Sequence, residues 1–380
     1  MPWLKANRKF LYATSVLIGT MVGVGVFGIP LAFSKSGFLV GLGFMIAIGL
    51  AMLLTYYMYG EVVLRTEQLH QLVGYTGKYL GPWWKKFMLF ADTLSIYGGL
   101  LAYIIIAGDF LSYIFSGFYY ATPTFYSILF FAIFSILLYL GFRAVAWLEI
   151  GLVGIYSLVI LITFIFGLPK VQLPNLMTFS PGAWFLPYGV LLFAFAGMSA
   201  IPSQRKILQG QEHNLKKSIT LAVGIVAILY LLFAFTIVGI VGEATPDTVS
   251  GLFEFIGGRM VFLIALFGIL AVSTSYLTLG MAIYDVFRLD YKLKNMPAWL
   301  LVVLPPFILY LSGLRTFVDV INVAGAAAIA PISLILIATF AKAKGQGDRV
   351  PEYSVSVPKW LMRVLILIFL GGAIYALAFN

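Results

Sequence analysis

IGTMVGVGVFGIP, residues 18–30, places four glycines and a proline inside the first long apolar run of the chain. Each interior glycine weakens a helix by about 1 kcal/mol relative to alanine, and a proline by about 3 kcal/mol. A helix carrying this many breakers is expected to open. In hydrocarbon, an opened backbone costs several kcal/mol per unpaired group. It survives only where protein buries it or where it lines a wet cavity. The stretch therefore points to a membrane helix interrupted for a ligand, provided that the rest of the chain is a membrane protein.

Composition meets that condition. Of 380 residues, 62% are hydrophobic and only 10% are charged, against roughly a quarter charged in soluble domains. Apolar runs near the spanning length recur throughout, which predicts an all-α membrane protein. There is no cysteine, so disulfides, thiol nucleophiles and thiolate metal sites are excluded. The two histidines are His70 and His213. The basic start MPWLKANRKF resembles a signal-peptide n-region, but a long apolar run and further spans follow, so it reads as part of a retained first span.

Hydropathy predicts 11 transmembrane helices, at 10–33, 37–61, 86–116, 123–141, 143–168, 183–201, 215–242, 259–287, 297–313, 316–341 and 359–378. With the N-terminus inside, twenty of the 24 Lys and Arg residues fall on the inner side. The positive-inside rule then puts the N-terminus in the cytoplasm and the C-terminus outside. The net charge of +10 follows from this topology and gives no reason to expect nucleic acid.

A second interruption, FAFAGMSAIP at 193–202, falls in span 6. Spans 1–5 (10–168) and 6–10 (183–341) thus form two blocks, each opening with a glycine-interrupted helix. Five is odd, so the second block enters the membrane in the opposite sense. This is a 5+5 inverted repeat, an architecture of secondary transporters, with 359–378 as an extra C-terminal helix in one transporter domain. A half-helix N-terminus favours a carboxylate, and free carbonyls favour an ammonium or a metal cation. A lone Gly19-xxx-Gly23 pair would read as a packing motif; two matched interruptions favour the binding reading. Gly23, Gly25 and Gly28 also spell G-x-G-x-x-G, but that fingerprint needs a preceding strand in an aqueous βαβ unit.

Segments 14–34 (TSVLIGTMVGVGVFGIPLAFS), 96–115 (IYGGLLAYIIIAGDFLSYIF) and 192–202 (LFAFAGMSAIP) resemble the amino acid/auxin permease family. That family includes sodium-coupled neutral amino acid transporters and is close to bacterial aromatic and hydroxy amino acid permeases. The resemblance implies the leucine-transporter fold, with discontinuous helices 1 and 6. It implies that the backbone at Gly23, Val24 and Gly25 binds the substrate carboxylate. Carbonyls near Met21, Phe193 and Ala194 would hold the amino group. Thr20, Phe195 and Met198 would border the side-chain pocket, with Tyr103 as a wall or carboxylate partner.

The resemblance also implies a sodium site. Ala271, Thr274 and Ser275 in span 8 reproduce its A-x-x-[ST]-[ST] spacing, and positions i, i+3 and i+4 share one helix face. Gly19 and Val22 would add carbonyls from span 1. Protons are the alternative coupling ion. Some relatives replace the sodium by a basic side chain on span 5, which here has no lysine or arginine after Arg143. Intramembrane carboxylates default to functional candidates; Asp92 and Asp109 are the deepest. Glu61, Glu149, Asp285 and Asp319 fall near helix ends, where solvation is expected. Segment 66–85 reads as an interfacial amphipathic stretch with His70 solvated, 244–258 as an outer lid, and the small-residue run 323–331 as a packing or sliding face.

The expected function is import of neutral amino acids across the plasma membrane by cation symport, sodium favoured, through alternating access, the alternative being a proton-coupled aromatic or hydroxy amino acid permease, with no enzymatic activity and no cofactor besides the coupling ion. An intramembrane enzyme would need a base or metal ligands at depth, and both histidines fall in loops. A channel would show rings built by oligomer symmetry. Membrane lipid and a small amino acid are the expected partners, and nothing indicates an oligomeric state. Bulky replacement of Gly23 or Gly25 is expected to abolish transport in a folded protein.

Overall fold

The computed structural model describes residues 2–118, 121–141, 145–242 and 257–379. Among them the regular structure is helical. The first apolar run opens as expected. α1 (Pro2–Met21) stops and α2 (Gly25–Ser36) restarts at a bend of 54°. Pro30 lies inside α2, so the glycine-rich Val22–Val24 step makes the break and the proline does not end the helix.

α3 (Phe38–Arg65) follows, then the short α4 (Leu72–Leu80) and the 34-residue α5 (Pro82–Phe115). At 1.5 Å per residue α5 is about 51 Å long, well beyond the hydrocarbon thickness. α6 (Pro123–Tyr139) opens with proline behind Thr122, whose hydroxyl accepts from the Phe125 amide at 3.3 Å. This cap satisfies an otherwise orphaned donor. α7 (Val145–Gly167) precedes the second broken element, α8 (Leu186–Ala194) and α9 (Ala200–Ile207). Pro202 sits in the first turn of α9, where its missing N–H removes no helical bond.

α10 (Leu215–Val241), α11 (Gly258–Asp285) and α12 (Asn295–Leu311) are followed by α13 (Phe317–Ala324) and α14 (Ala330–Gln346), joined by a π-type turn at Gly325–Ile329. α15 (Lys359–Ile366) and α16 (Gly372–Phe379) are joined in the same way. Seven of these helices or helix pairs are long and apolar enough to cross a membrane, and the bent α1–α2 pair makes an eighth. α6 and α12 have 17 residues each, about 26 Å of helix against a hydrocarbon core of about 30 Å. Only by counting these two and the α8–α9 pair are the eleven expected spans reached. The expected outer lid lies largely outside the described residues.

One end of α3 is strapped by the loop after α14. Glu61, expected to be solvated, is fully buried. Its carboxylate accepts from Arg65 Nε at 2.7 Å, from Ser354 Oγ at 3.1 Å and from the Val355 amide. A buried charge is tolerable when its lone pairs are met in this way. Arg205 on α9 donates to the Val63 and Thr66 carbonyls that end α3, at 2.5 and 2.6 Å. In the same strap Lys78 and the Glu67 amide bind Asp348 and hold its carboxyl below the usual carboxylate range. His70 is half-buried, edge-on to Tyr75 at 5.5 Å. Trp83 and Trp84 are exposed and Asp319 is exposed.

Candidate functional site

The two breaks meet. A Cβ placed on Gly25 would lie 2.7 Å from the Ala194 Cα, so the start of α2 packs backbone against backbone on the end of α8. Tyr230 of α10 joins them chemically. Its hydroxyl lies 2.7 Å from the Met21 carbonyl and 2.8 Å from the Ala194 carbonyl, and donates to this pair. Tyr56 of α3 donates to the next freed carbonyl, Phe195. Two tyrosines thus satisfy the C-terminal ends that the interruptions expose. These carbonyls, expected to hold a substrate ammonium at Met21 and Ala194, are engaged by Tyr230. Replacing Tyr230 by phenylalanine should cost about 1–3 kcal/mol, the price of leaving the buried Ala194 carbonyl unmet, while the Met21 carbonyl keeps the Gly23 amide at 2.9 Å. A drop in the thermal midpoint of the purified variant measures this; an unchanged midpoint would refute the capping role.

A cavity of about 660 Å³ opens beside the breaks, a size typical of small-molecule sites. Thr20, Met21, Gly23, Val24 and Gly25 line it from the first break. Phe193 and Met198 line it from the second, and Tyr103 from α5. Ala194 and Phe195 do not line it. Phe195 lies about 200° around the helix from Phe193, and its ring packs on Gly49 and Tyr230 instead. No side chain caps α2, so its first amides form a positive helix end beside the cavity.

A second, smaller cavity of about 30 Å³ adjoins it, room for one or two water-sized spheres. Gly19, Val22, Ala271, Thr274 and Ser275 all line it. The Thr274 hydroxyl is 3.0 Å from the Ala271 carbonyl and 3.3 Å from that of Leu270. It spends its proton inside the helix and keeps lone pairs for a cation. Tyr156 of α7 also borders this space. No lysine or arginine lines it among the described residues. Thr20, Tyr103, Thr278 and Leu279 border both cavities. A Cβ on Gly23 would lie 3.3 Å from the Tyr103 hydroxyl and 3.5 Å from Ser275 Oγ, so both side chains end against the Gly23 backbone. Tyr103 therefore stands between the two spaces.

The large cavity runs past Asp92 and Ser95 of α5 to Tyr12, Gln71, Ile207 and Asp285. Asp285, expected to be solvated at a helix end, is a wall residue. Two residues beyond Gly25, the Phe27 ring of α2 meets Phe110 at 4.9 Å and Phe233 and Phe267 at 6.0 Å each. Tyr230, Tyr56, Ser95 and Thr278 carry no sequence signal that separates them from other tyrosines and hydroxyl residues. Asp92 is visible in the sequence only as an acid at membrane depth.

Comparison with known proteins fits this geometry. MhsT, solved in complex with L-phenylalanine, superimposes with a TM-score of 0.67 at 16% identity, over 97% of each chain. Mhp1, a nucleobase-cation-symport-1 family transporter solved in a closed conformation with bromovinylhydantoin bound, gives 0.66 at 12% identity, over 97% of this chain and 90% of that one. These likenesses establish the leucine-transporter fold. In sequence, the tyrosine-specific transport system 1 of Haemophilus influenzae is 24% identical over 355 residues, covering 86% of this chain and 88% of that protein. The motifs of spans 1, 3 and 6 pointed to the amino acid/auxin permeases. The match that spans residues 6–377 is to the aromatic permeases beside them, and this chain belongs to the tryptophan/tyrosine permease family.

Proposed function

We propose that this chain is a secondary active importer of aromatic amino acids, driven by a cation, with sodium favoured. The observation that carries the reading is the pair of adjoining cavities that share Tyr103 and Thr20. The larger takes the amino acid, its carboxylate beside the Gly23 backbone against the amides of Val24 and Gly25 that lead into α2, the Gly23 amide itself being held by the Met21 carbonyl. The smaller takes a hard cation among the Gly19, Val22 and Ala271 carbonyls and the Thr274 and Ser275 hydroxyls. Neutral oxygens suit such an ion. The aromatic substrate class is supported by the family and by the tyrosine specificity of the Haemophilus relative.

Eleven spans, a 5+5 inverted repeat and a cytoplasmic N-terminus complete the reading. In that orientation the large cavity faces inward, and Phe27, Phe110, Phe233 and Phe267 would seal the outer side. Alternating access would rock the elements carrying the two breaks against the others. The second reading is proton coupling, favoured by the Asp92 and Asp285 carboxylates in the cavity wall.

Uptake of labelled tyrosine into proteoliposomes tests both readings. An imposed inward sodium gradient should drive accumulation at least about tenfold above a choline control, a free-energy difference of about 1.4 kcal/mol. Accumulation driven by an imposed pH gradient and indifferent to sodium would install the proton reading. No uptake under either gradient would end both.

A further inference from the structure

The last turns of α3 are gripped from two sides. On one side stands α9, half of the second broken element. Its Arg205 holds the Val63 and Thr66 carbonyls and also donates to the Glu67 carbonyl at 3.3 Å. On the other side lies the strap after α14. Its Asp348 and Arg349 amides donate to the Arg65 carbonyl at 3.0 and 3.2 Å. The Tyr353 hydroxyl donates to the Tyr57 carbonyl at 2.9 Å, in the space that a side chain on Gly60 would take. Lys344, in the last turn of α14, donates to the Val355 carbonyl at 2.6 Å and ties the strap back to its own helix. The junction thus joins an element that carries a break to α14, which carries neither. Gln71, a few residues beyond α3, and Ile207, at the end of α9, both line the large cavity, so the junction lies at that end of it.

Glu61 gives the junction two stable arrangements. Its carboxylate is fully buried and accepts from Arg65, Ser354 and the Val355 amide. If the strap lifts, Ser354 and Val355 leave together. A buried charge that is only partly met is costly. Glu61 lies one turn before the end of α3, about 6 Å along the helix. Water can therefore replace the strap there, as it could not at membrane depth. The docked carboxylate is met by the strap and the lifted one by water; an intermediate leaves it short of partners.

We infer that the strap of residues 347–355 is a conformational latch, with Glu61 as its catch, that holds the large cavity open on the side where the strap lies. This deepens the proposed function and rests on its alternating access. While the strap is docked, α3 is tied to α9 and α14 at once. Rocking the broken elements to close this side requires the strap to lift. A contact biases a conformational equilibrium only by the difference in its strength between the two states, and the latch bonds are made in this one.

The chain has no cysteine, so a single introduced thiol reports on the cavity. Ser203 of α9 is exposed and lines it. The Ser203→Cys full chain, purified into lipid nanodiscs, is labelled with a maleimide, and the rate follows the fraction of molecules open on the strap side. Adding Glu61→Gln should lower the ratio of open to closed molecules about tenfold. That slows labelling at least about twofold for a reference chain up to about nine-tenths open. Asp348→Ala and Tyr353→Phe should slow it in the same direction. Asp348 is exposed and Tyr353→Phe removes one hydroxyl, so these two variants fold even if Glu61→Gln does not. Thermal midpoints are measured alongside. A lowered midpoint with an unchanged or faster labelling rate makes the strap a structural tie and overturns the latch. A Ser203→Cys reference whose labelling does not respond to tyrosine at any sodium concentration or pH overturns the alternating-access reading, and the latch with it.

Discussion

Gly25→Ala should abolish uptake and also lower the thermal midpoint of the purified protein. The added methyl would sit 2.7 Å from the Ala194 Cα, 2.9 Å from its Cβ and 3.3 Å from its backbone nitrogen. Two of these are backbone atoms, which cannot rotate aside. Relief requires α2 and α8 to move apart, and overpacking of this kind costs about 1–3 kcal/mol. The same movement would pull Met21 and Ala194 away from the single Tyr230 hydroxyl that joins them. From sequence, a bulky residue at 25 is expected to remove transport from an otherwise folded protein; the packing of Gly25 on Ala194 changes that expectation.

Gly23→Ala is the control that separates ligand from packing. Its methyl would meet the Tyr103 hydroxyl at 3.3 Å and Ser275 Oγ at 3.5 Å, both ends of side chains that can yield. The variant should keep its midpoint and lose uptake, because the methyl lies over the amides proposed to hold the carboxylate. If Gly25→Ala shows the wild-type midpoint and uptake, the contact between the two breaks does not matter to the protein. If Gly23→Ala transports normally, the carboxylate site lies elsewhere.

What the sequence displays and what it hides follow from one distinction. Backbone interruptions are written locally. The glycines of 18–30 and the FAFAGMSAIP run mark both breaks, because glycine and proline act on the residues beside them. The A-x-x-T-S spacing of α11 is equally local, and the structure places all three residues on one cavity wall with Gly19 and Val22. Partners across the fold are not written in this way. Nothing adjacent to Tyr230 announces that its hydroxyl reaches two carbonyls from residues 209 and 36 positions distant. Glu61 reads as a helix-end acid because its ligands Ser354 and Val355 belong to a loop almost 300 residues later. Phe195 resembles a pocket residue by its neighbours in sequence, but helix rotation decides which of Phe193 and Phe195 faces the cavity.

Thr274→Ala should raise the sodium concentration for half-maximal uptake at least about tenfold, which corresponds to about 1.4 kcal/mol of lost ion binding. The Thr274 hydroxyl is directed by its own helix, with the proton toward the Leu270 and Ala271 carbonyls, so removing it deletes a lone-pair donor already aimed at the small cavity. Thr274→Ser keeps that oxygen and should retain near wild-type sodium dependence. Ser275→Ala should have a second consequence. Ser275 Oγ and the Tyr103 hydroxyl both end against Gly23, both residues line the small cavity, and Tyr103 also borders the substrate cavity. Sodium should therefore raise tyrosine affinity in the wild-type protein and raise it much less in Ser275→Ala and in Tyr103→Phe, since linkage requires that each ligand strengthen the other by the same factor. Titrating tyrosine at zero and saturating sodium measures that factor directly. Equal factors in all three proteins would leave the two cavities uncoupled through Tyr103. A factor of one in the wild type, with uptake that follows an imposed pH gradient and is lost in Asp92→Asn, would transfer the driving ion from the oxygen-lined cavity to the carboxylates of the larger one.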